Sequence, residues 1–182
     1  MEIDATPIPG CFELRPKVLS DERGAFVKFF QYDAWHRLGL SVDIKEQYYS
    51  RSQRNVLRGL HFQRPPAQHD KAVFCVSGHA FDVLLDLRKG SPTFGKCHAC
   101  HLHGEQANGI YVPEGLAHGF AALEDDTVLV YLVTSEYSPE NDTGVRWDSA
   151  GIEWPVAKPI VSDRDRSLTP MAEFVTPFRY RA

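Results

Sequence analysis

The chain has 182 residues, of which 43% are hydrophobic and 24% are charged, and its formal net charge is −4. These values are typical of a globular protein with its own core, and the lack of a basic block argues against nucleic-acid binding. No stretch reaches the roughly 20 apolar residues of a membrane helix, and the N-terminus lacks a signal-peptide pattern. We therefore expect one cytoplasmic domain over residues 1–182, binding a small molecule, with its four cysteines as free thiols.

The predicted elements are mostly short strands. In chain order, the first is a short helix over Tyr32–Leu38, which ends at Gly39. Strands separated by Gly, Pro, Asp and Asn are predicted over residues 56–62, 72–77, 80–87, 96–102, 109–112, 119–123 and 128–134. Four prolines between positions 155 and 177 predict a tail of loops and short turns. This pattern favours an all-β jelly roll, a sandwich or barrel with few helices.

The strand over 56–62 carries a histidine whose role depends on the phase of the strand. Regular alternation places Arg58, Leu60 and Phe62 on one face and His61 on the other, unless a bulge at Gly59 changes the phase. His61 is then either a satisfied interior polar group or a general base, and the segment alone leaves both open.

Two further segments carry possible metal ligands. The segment 112–120 contains a Pro-x-Gly pattern followed by His118, which is similar to the second metal-binding motif of cupins. The first cupin motif needs a His-x-His pair, and His61 has no such partner histidine. The segment 97–103 reads Cys-His-Ala-Cys-His-Leu-His, and a strand would divide its ligands between two faces. We therefore expect no catalytic metal and interpret 97–103 as a polar strand.

Many ordered segments together resemble the dTDP-4-dehydrorhamnose 3,5-epimerase family over nearly the whole chain. The matching positions are 16–17, 21–24, 56–61, 71, 77–78, 81–83, 86–94, 113–120, 131, 137–140, 152–155 and 162–165. The resemblance implies a cupin jelly roll that needs neither a metal nor an organic cofactor. It also implies a homodimer in which the N-terminal segment of one subunit completes the site of the other.

The resemblance further implies acid–base chemistry on a nucleotide-diphosphate-linked 4-keto-6-deoxyhexose. A ketone at C4 acidifies the hydrogens on C3 and C5, because the carbanion delocalises as an enolate. By resemblance, His61 is the base, and Asp165 rather than Asp163 pairs with it and fixes its tautomer. Lys71 is expected near the enolate oxygen, and Tyr131 is expected to be the acid on the opposite side of the sugar.

The same resemblance assigns residues to substrate binding. Arg23 and Arg58 match positions that contact the pyrophosphate, which suits the bidentate guanidinium. Phe26 and Tyr137 are candidates to contact the nucleotide and the sugar. His118 either supports the site or serves only as a structural hydrogen-bonding group.

The sequence departs from the family pattern at a few positions. Lys28 stands where the family has a glutamate facing thymine, and Glu46 lies in a second altered segment. The lysine ammonium is a hydrogen-bond donor, whereas the glutamate it replaces is an acceptor, and cytosine N3 requires a donor. We therefore expect a CDP-linked substrate, with the alternative that Lys28 merely faces solvent. Tyr48 and Leu132 also replace usual family residues, which leaves open whether C3, C5 or both are inverted.

Three alternatives accompany the expected CDP-sugar epimerase. They are a dTDP-4-dehydrorhamnose 3,5-epimerase, a nucleotide-sugar 3,4-ketoisomerase and a non-catalytic sugar-binding cupin. The complete set of His61, Lys71, Tyr131 and Asp165 argues against a pure binder, because binding alone requires no base and acid. The family implies that the product supplies a deoxysugar for a surface polysaccharide such as an O-antigen.

Overall fold

Thirteen short strands account for most of the regular structure in the computed structural model, which describes residues 1–181. The strands are β1 (Glu2–Ala5), β2 (Phe12–Arg15), β3 (Val18–Asp21), β4 (Gly24–Val27), β5 (Glu46–Ser52), β6 (Leu57–Gln63), β7 (Lys71–Ser77), β8 (His79–Asp86), β9 (Cys97–His103), β10 (Gly109–Val112), β11 (Leu116–Ala122), β12 (Thr127–Val133) and β13 (Asp142–Gly144). The helices are α1 (Tyr32–Arg37), α2 (Asp163–Arg166) and a 3₁₀ turn over Met171–Glu173. Within the described residues, no helix has the length and apolar character required to cross a membrane.

The strands form two large antiparallel sheets and one separate hairpin. The first sheet has the order β1-β2-β10-β7-β12-β5, and the second has the order β13-β6-β11-β8-β9. Strands β3 and β4 pair only with each other, with Val18 opposite Val27. Non-consecutive neighbours in both sheets are typical of a jelly roll, so the predicted all-β jelly-roll fold with few short helices is confirmed.

The main core lies between the two sheets. Val73 and Leu129 of the first sheet pack in one buried cluster with Leu84, Leu102 and Phe120 of the second. Their inward positions alternate with outward ones along each strand, as expected for facing sheets. The cluster extends to Tyr131, so the candidate acid projects from the first sheet into the space between the sheets.

The outer faces of the sheets are covered by the less regular parts of the chain. Trp35 of α1 packs with Phe74 and Tyr111 against the first sheet. Phe178 of the proline-containing tail packs with Phe62 against the second. The tail therefore helps to complete the fold, and it also brings α2 next to β6.

Most predicted elements agree with the structure, and none of their ends is shifted by more than three residues. The predicted helix over Tyr32–Leu38 is observed as Tyr32–Arg37, and Gly39 follows with a φ of 72°. The sequence predicts no strand before residue 56, whereas β1 to β5 lie there. Strand β13 and the helical turn α2 were not predicted either.

A bulge in β6 sets the orientation of the side chains that face the space between the sheets. The pairing of β6 with β11 shifts between His118, opposite His61, and Phe120, opposite Arg58. Gly59 has a φ of 137°, and a Cβ there would lie 2.5 Å from the Cα of Gly119, so only glycine fits. The shift places Arg58 and His61, three residues apart, in the wall of one cavity.

Candidate active site

An imidazole–carboxylate pair lies at the centre of the site. Nε2 of His61 on β6 is 2.7 Å from Oδ1 of Asp165 on α2. The other carboxylate oxygen of Asp165 accepts a hydrogen bond of 3.1 Å from the N–H of Gly59. Ser162 caps α2 by accepting from the N–H of Asp165 at 3.1 Å, which fixes the position of the acid. The predicted pairing of His61 with Asp165, rather than Asp163, agrees with this geometry.

The pair defines which imidazole nitrogen is free. Burial alone would raise the pKa of Asp165, but its contacts with His61, the Gly59 N–H and the Arg164 charge together lower that pKa below its ordinary value. The carboxylate is therefore ionised and accepts a hydrogen bond from Nε2–H of His61. Nδ1 of His61 is left with a lone pair, while the side chain remains 28% exposed and accessible from the cavity.

A second imidazole–carboxylate pair lies deeper between the sheets. Nε2 of His118 is 2.8 Å from Oδ2 of Asp82, and both side chains are buried. His118 is directly opposite His61 across β6 and β11, and its ring meets that of Tyr131 edge to face at 6.2 Å between centroids. Oδ1 of Asp82 has no hydrogen-bond partner among the described residues. Asp82 lies in a segment that resembles the family (81–83), but its pairing with His118 was not predicted.

Tyr131 projects from β12, in the sheet opposite His61. Its hydroxyl is 3.1 Å from Oγ of Ser50, and its ring stacks on Tyr48 at 4.6 Å with an interplanar angle of 13°. Burial raises the pKa of Tyr131 above its ordinary value, and this outweighs the opposing effects of Ser50 and Arg58. The phenol is therefore neutral at physiological pH and available as a proton donor.

Lys71 brings a cation to the same interior. Its side chain is only 7% exposed, and it has no ion-pair partner within 4 Å among residues 1–181. Burial lowers the pKa of Lys71 to about 8, against the opposing charges of Asp142 and Asp82. At neutral pH the Lys71 ammonium is therefore charged, and no carboxylate in the described part of the chain forms an ion pair with it. It is thus suited to stabilise a negative charge that develops on a bound substrate.

These groups surround two adjoining cavities. The inner cavity, of about 210 Å³, is lined by Tyr48, Ser50, Arg58, His61, Lys71, His118, Phe120 and Tyr131. The outer cavity, of about 310 Å³, shares Tyr48, His61 and Lys71 with the inner one. The structure therefore brings all four predicted catalytic side chains together, with Asp165 contributing through His61.

Glu46 and Tyr137 line the outer cavity, as a substrate-binding role requires. Oε2 of Glu46 accepts a hydrogen bond of 2.8 Å from the backbone N–H of Tyr137. Tyr137 itself is 61% exposed. Glu46 thus holds the Tyr137 loop in place, and this contact already uses one of its carboxylate oxygens.

Three predicted nucleotide-binding residues lie elsewhere within a single chain. Arg23, Phe26 and Lys28 belong to the β3–β4 hairpin and the residue that follows it, and none of them lines either cavity. Nε of Arg23 donates to Asp21 at 3.1 Å, and Nζ of Lys28 lies 5.8 Å from the centroid of the Phe26 ring. The hairpin pairs with neither large sheet, which explains the separation. The exchange of this segment between subunits stays a prediction.

The sequence model of the dTDP-4-dehydrorhamnose 3,5-epimerase family matches residues 5–173. A dTDP-4-dehydrorhamnose 3,5-epimerase from Shigella flexneri is 41% identical over 168 residues, which are 91% of this chain and 93% of that protein.

Solved structures show the same similarity. One is the RmlC dTDP-6-deoxy-D-glucose-3,5-epimerase from Legionella pneumophila in complex with dTDP-4-keto-L-rhamnose. It matches with a TM-score of 0.94 and 33% identity, over 100% of this chain and 99% of that chain. Another is ChmJ, a 3'-monoepimerase from Streptomyces bikiniensis in complex with dTDP-quinovose. It matches with a TM-score of 0.87 and 33% identity, over 92% of this chain and 86% of that chain.

Proposed function

Since the chain belongs to the dTDP-4-dehydrorhamnose 3,5-epimerase family and is an epimerase of nucleotide-linked 4-keto-6-deoxy sugars, we propose that its substrate is a dTDP-linked 4-keto-6-deoxyhexose. We propose inversion at C3 and C5 as the reaction. The observation that carries the mechanism is that the paired His61 imidazole and the Tyr131 phenol line one cavity from opposite sheets.

The first step is removal of a carbon-bound proton. Nδ1 of His61 takes the hydrogen from the carbon next to the C4 ketone, and the electron pair of the C–H bond moves into an enolate. Asp165 stabilises the imidazolium that forms, because its carboxylate is already within 2.7 Å of Nε2. The Lys71 ammonium is the group in this cavity suited to stabilise the enolate oxygen.

The second step returns a proton from the other side. Tyr131 donates its phenolic hydrogen to the carbon, and the resulting phenolate is stabilised by Ser50 at 3.1 Å. The imidazolium then loses its proton to water, and the phenolate regains one from water. The stacked Tyr48 ring limits the movement of Tyr131 and thereby fixes the direction from which the proton arrives.

The dTDP alternative is supported better than the CDP preference expected from Lys28. The similar proteins named above are described with dTDP-linked sugars, and none with a CDP-sugar. Competition of dTDP and CDP against a fluorescent dTDP probe tests the choice. We expect tighter dTDP binding in the wild-type protein and in Lys28→Gln, and tighter binding of CDP would contradict the assignment.

We also propose that the working unit is a homodimer in which the hairpin of each subunit reaches the cavity of its partner. The position of Arg23 and Phe26 outside the cavity of their own chain supports this arrangement. Mixing inactive Arg23→Ala and His61→Asn subunits tests it. A shared site restores about a quarter of wild-type activity, because half of the dimers are mixed and each holds one intact site. A site built within one chain gives no restoration.

The reaction itself is tested by proton exchange in heavy water followed by NMR. We expect deuterium at both C3 and C5 and a product with both centres inverted. Exchange at C3 alone would indicate a monoepimerase, and a carbonyl moved to C3 would indicate a ketoisomerase. His61→Asn is the matched control, since it should retain dTDP binding and lose all exchange. Wild-type protein that bound dTDP but gave no exchange at either carbon would support the non-catalytic sugar-binding alternative, and exchange retained in His61→Asn would exclude His61 as the base.

A further inference from the structure

The free edge of the second sheet carries three histidines on its outer face. His79 lies on β8, and His101 and His103 lie on the edge strand β9, where His103 is directly opposite His79. Nε2 of His79 is 2.7 Å from Nδ1 of His101, and the rings of His79 and His103 stack at 3.9 Å between centroids. One ring nitrogen of each histidine lies within 4.8 Å of those of the other two.

We propose that His79, His101 and His103 form a binding site for a divalent transition-metal ion such as Zn²⁺, separate from the catalytic cavities. Zinc binds imidazole nitrogen at about 2.0–2.1 Å, so tetrahedral ligands stand about 3.3 Å apart. Nε2 of His79 and Nδ1 of His101 are closer than this, at 2.7 Å, and one ring nitrogen of each histidine lies within 4.8 Å of the other two, so small rotations of these partly exposed side chains would satisfy the geometry. Water would supply the remaining position, since all three histidines are accessible from solvent.

The donor set of the cluster suits a transition metal. An unprotonated imidazole presents a free lone pair to a metal ion. Imidazole ligands favour zinc, copper or nickel over magnesium and calcium, which prefer oxygen.

The opposite face of β9 provides a natural comparison. There, Nε2 of His98 lies 3.2 Å from Oε1 of Glu13, and Cys100 is close to both. Cys100 also packs against the main core between the sheets. Strand β9 therefore divides the side chains of 97–103 between two faces, as predicted. On the outer face, His79 of β8 joins His101 and His103, and the spacing within 97–103 alone could not show this.

The test is calorimetric titration of Zn²⁺ into the full chain without a histidine tag. We expect one zinc per chain, at least tenfold weaker binding in His101→Gln and in His103→Gln, and unchanged binding in the control His98→Gln. Circular dichroism shows whether each variant keeps the β-sheet fold. Mg²⁺ is expected to give no binding heat.

Cobalt provides an independent measurement on the same proteins. Co²⁺ at a nitrogen-rich tetrahedral site absorbs visible light, and we expect this band in wild type and His98→Gln only. Zinc binding that is equally strong in folded His101→Gln, His103→Gln and wild type would overturn the proposal. So would binding that is lost in His98→Gln, because that result would place the metal on the opposite face of β9.

Discussion

Lys71→Met is expected to make the protein more stable and nearly inactive. The pKa of Lys71 falls from the ordinary 10.5 to about 8, and the cause is burial of the ammonium. A drop of this size corresponds to roughly 3 kcal/mol of unfavourable free energy for the charged side chain in the folded state. Methionine fills similar space without the charge, so we expect the free energy of unfolding to rise by about 2–3 kcal/mol at pH 7.

The pH dependence of this gain has a definite sign. Below pH 8 both the folded and the unfolded wild-type protein carry a charged Lys71, and the cost of burial is fully present. Between about pH 8 and 10.5 the folded state has lost the proton that the unfolded state still binds, so wild-type stability rises relative to Lys71→Met. The advantage of the variant is therefore largest at pH 7 and decreases toward pH 10.

Urea unfolding monitored by tryptophan fluorescence at pH 7, 8.5 and 10 measures the effect. Lys96→Met serves as the control, because Lys96 is exposed and should show no change. Turnover by Lys71→Met should fall roughly 10²–10³-fold through loss of charge stabilisation at the enolate oxygen. A variant less stable than wild type at pH 7, or a stability difference independent of pH, would refute the reasoning about the buried charge.

Three further predictions concern the acid–base groups and the bulge. Asp165→Asn should lower turnover roughly 10²–10⁴-fold while dTDP binding is retained, because the tautomer of His61 is no longer fixed. Steady-state kinetics together with a dTDP binding assay measures this effect. An unchanged rate would contradict the role of Asp165. Tyr131→Phe should still exchange solvent deuterium at the carbon deprotonated by His61 but give little inverted product, which NMR in heavy water measures; full inversion would exclude Tyr131 as the acid. Gly59→Ala should destabilise the fold by more than about 3 kcal/mol, because the new Cβ would lie 2.5 Å from the backbone of Gly119. Thermal unfolding measures the loss, and Gly90→Ala is the control because a Cβ at Gly90 meets no other part of residues 1–181 within 4 Å. Equal losses in the two variants would contradict the importance of the close approach.

The sequence predicted the central strands well because their burial pattern is strong. β7, β8, β10 and β12 are apolar segments bounded by Gly, Pro or acidic residues, and such boundaries can be read locally. Strands β1, β3 and β4 were missed because they are short and mostly exposed, so their sequences lack a clear alternation. Their strand conformation depends on pairing with partners distant in sequence, such as β2 with β10.

The site was predicted chiefly through the family resemblance, since its parts are far apart in sequence. Asp165 is 104 residues from His61, and no periodicity connects α2 with β6. The pairing of Asp82 with His118 was missed for the same reason, although both residues lie in segments that match the family. The stacking of Tyr48 on Tyr131 likewise follows from the pairing of β5 with β12, where these residues stand directly opposite each other.

The bulge at Gly59 connects the fold to the chemistry most directly. In a regular strand, Arg58 and His61 would point to opposite faces, and the base would not share a cavity with the guanidinium expected to bind the pyrophosphate. One extra residue in β6 relative to β11 turns both side chains toward the inner cavity, while the Gly59 N–H reaches the Asp165 carboxylate. The same glycine therefore orients His61, the proposed base, and positions the Asp165 carboxylate that pairs with it. Loss of this glycine should damage folding and catalysis together, whereas loss of Asp165 should damage catalysis alone.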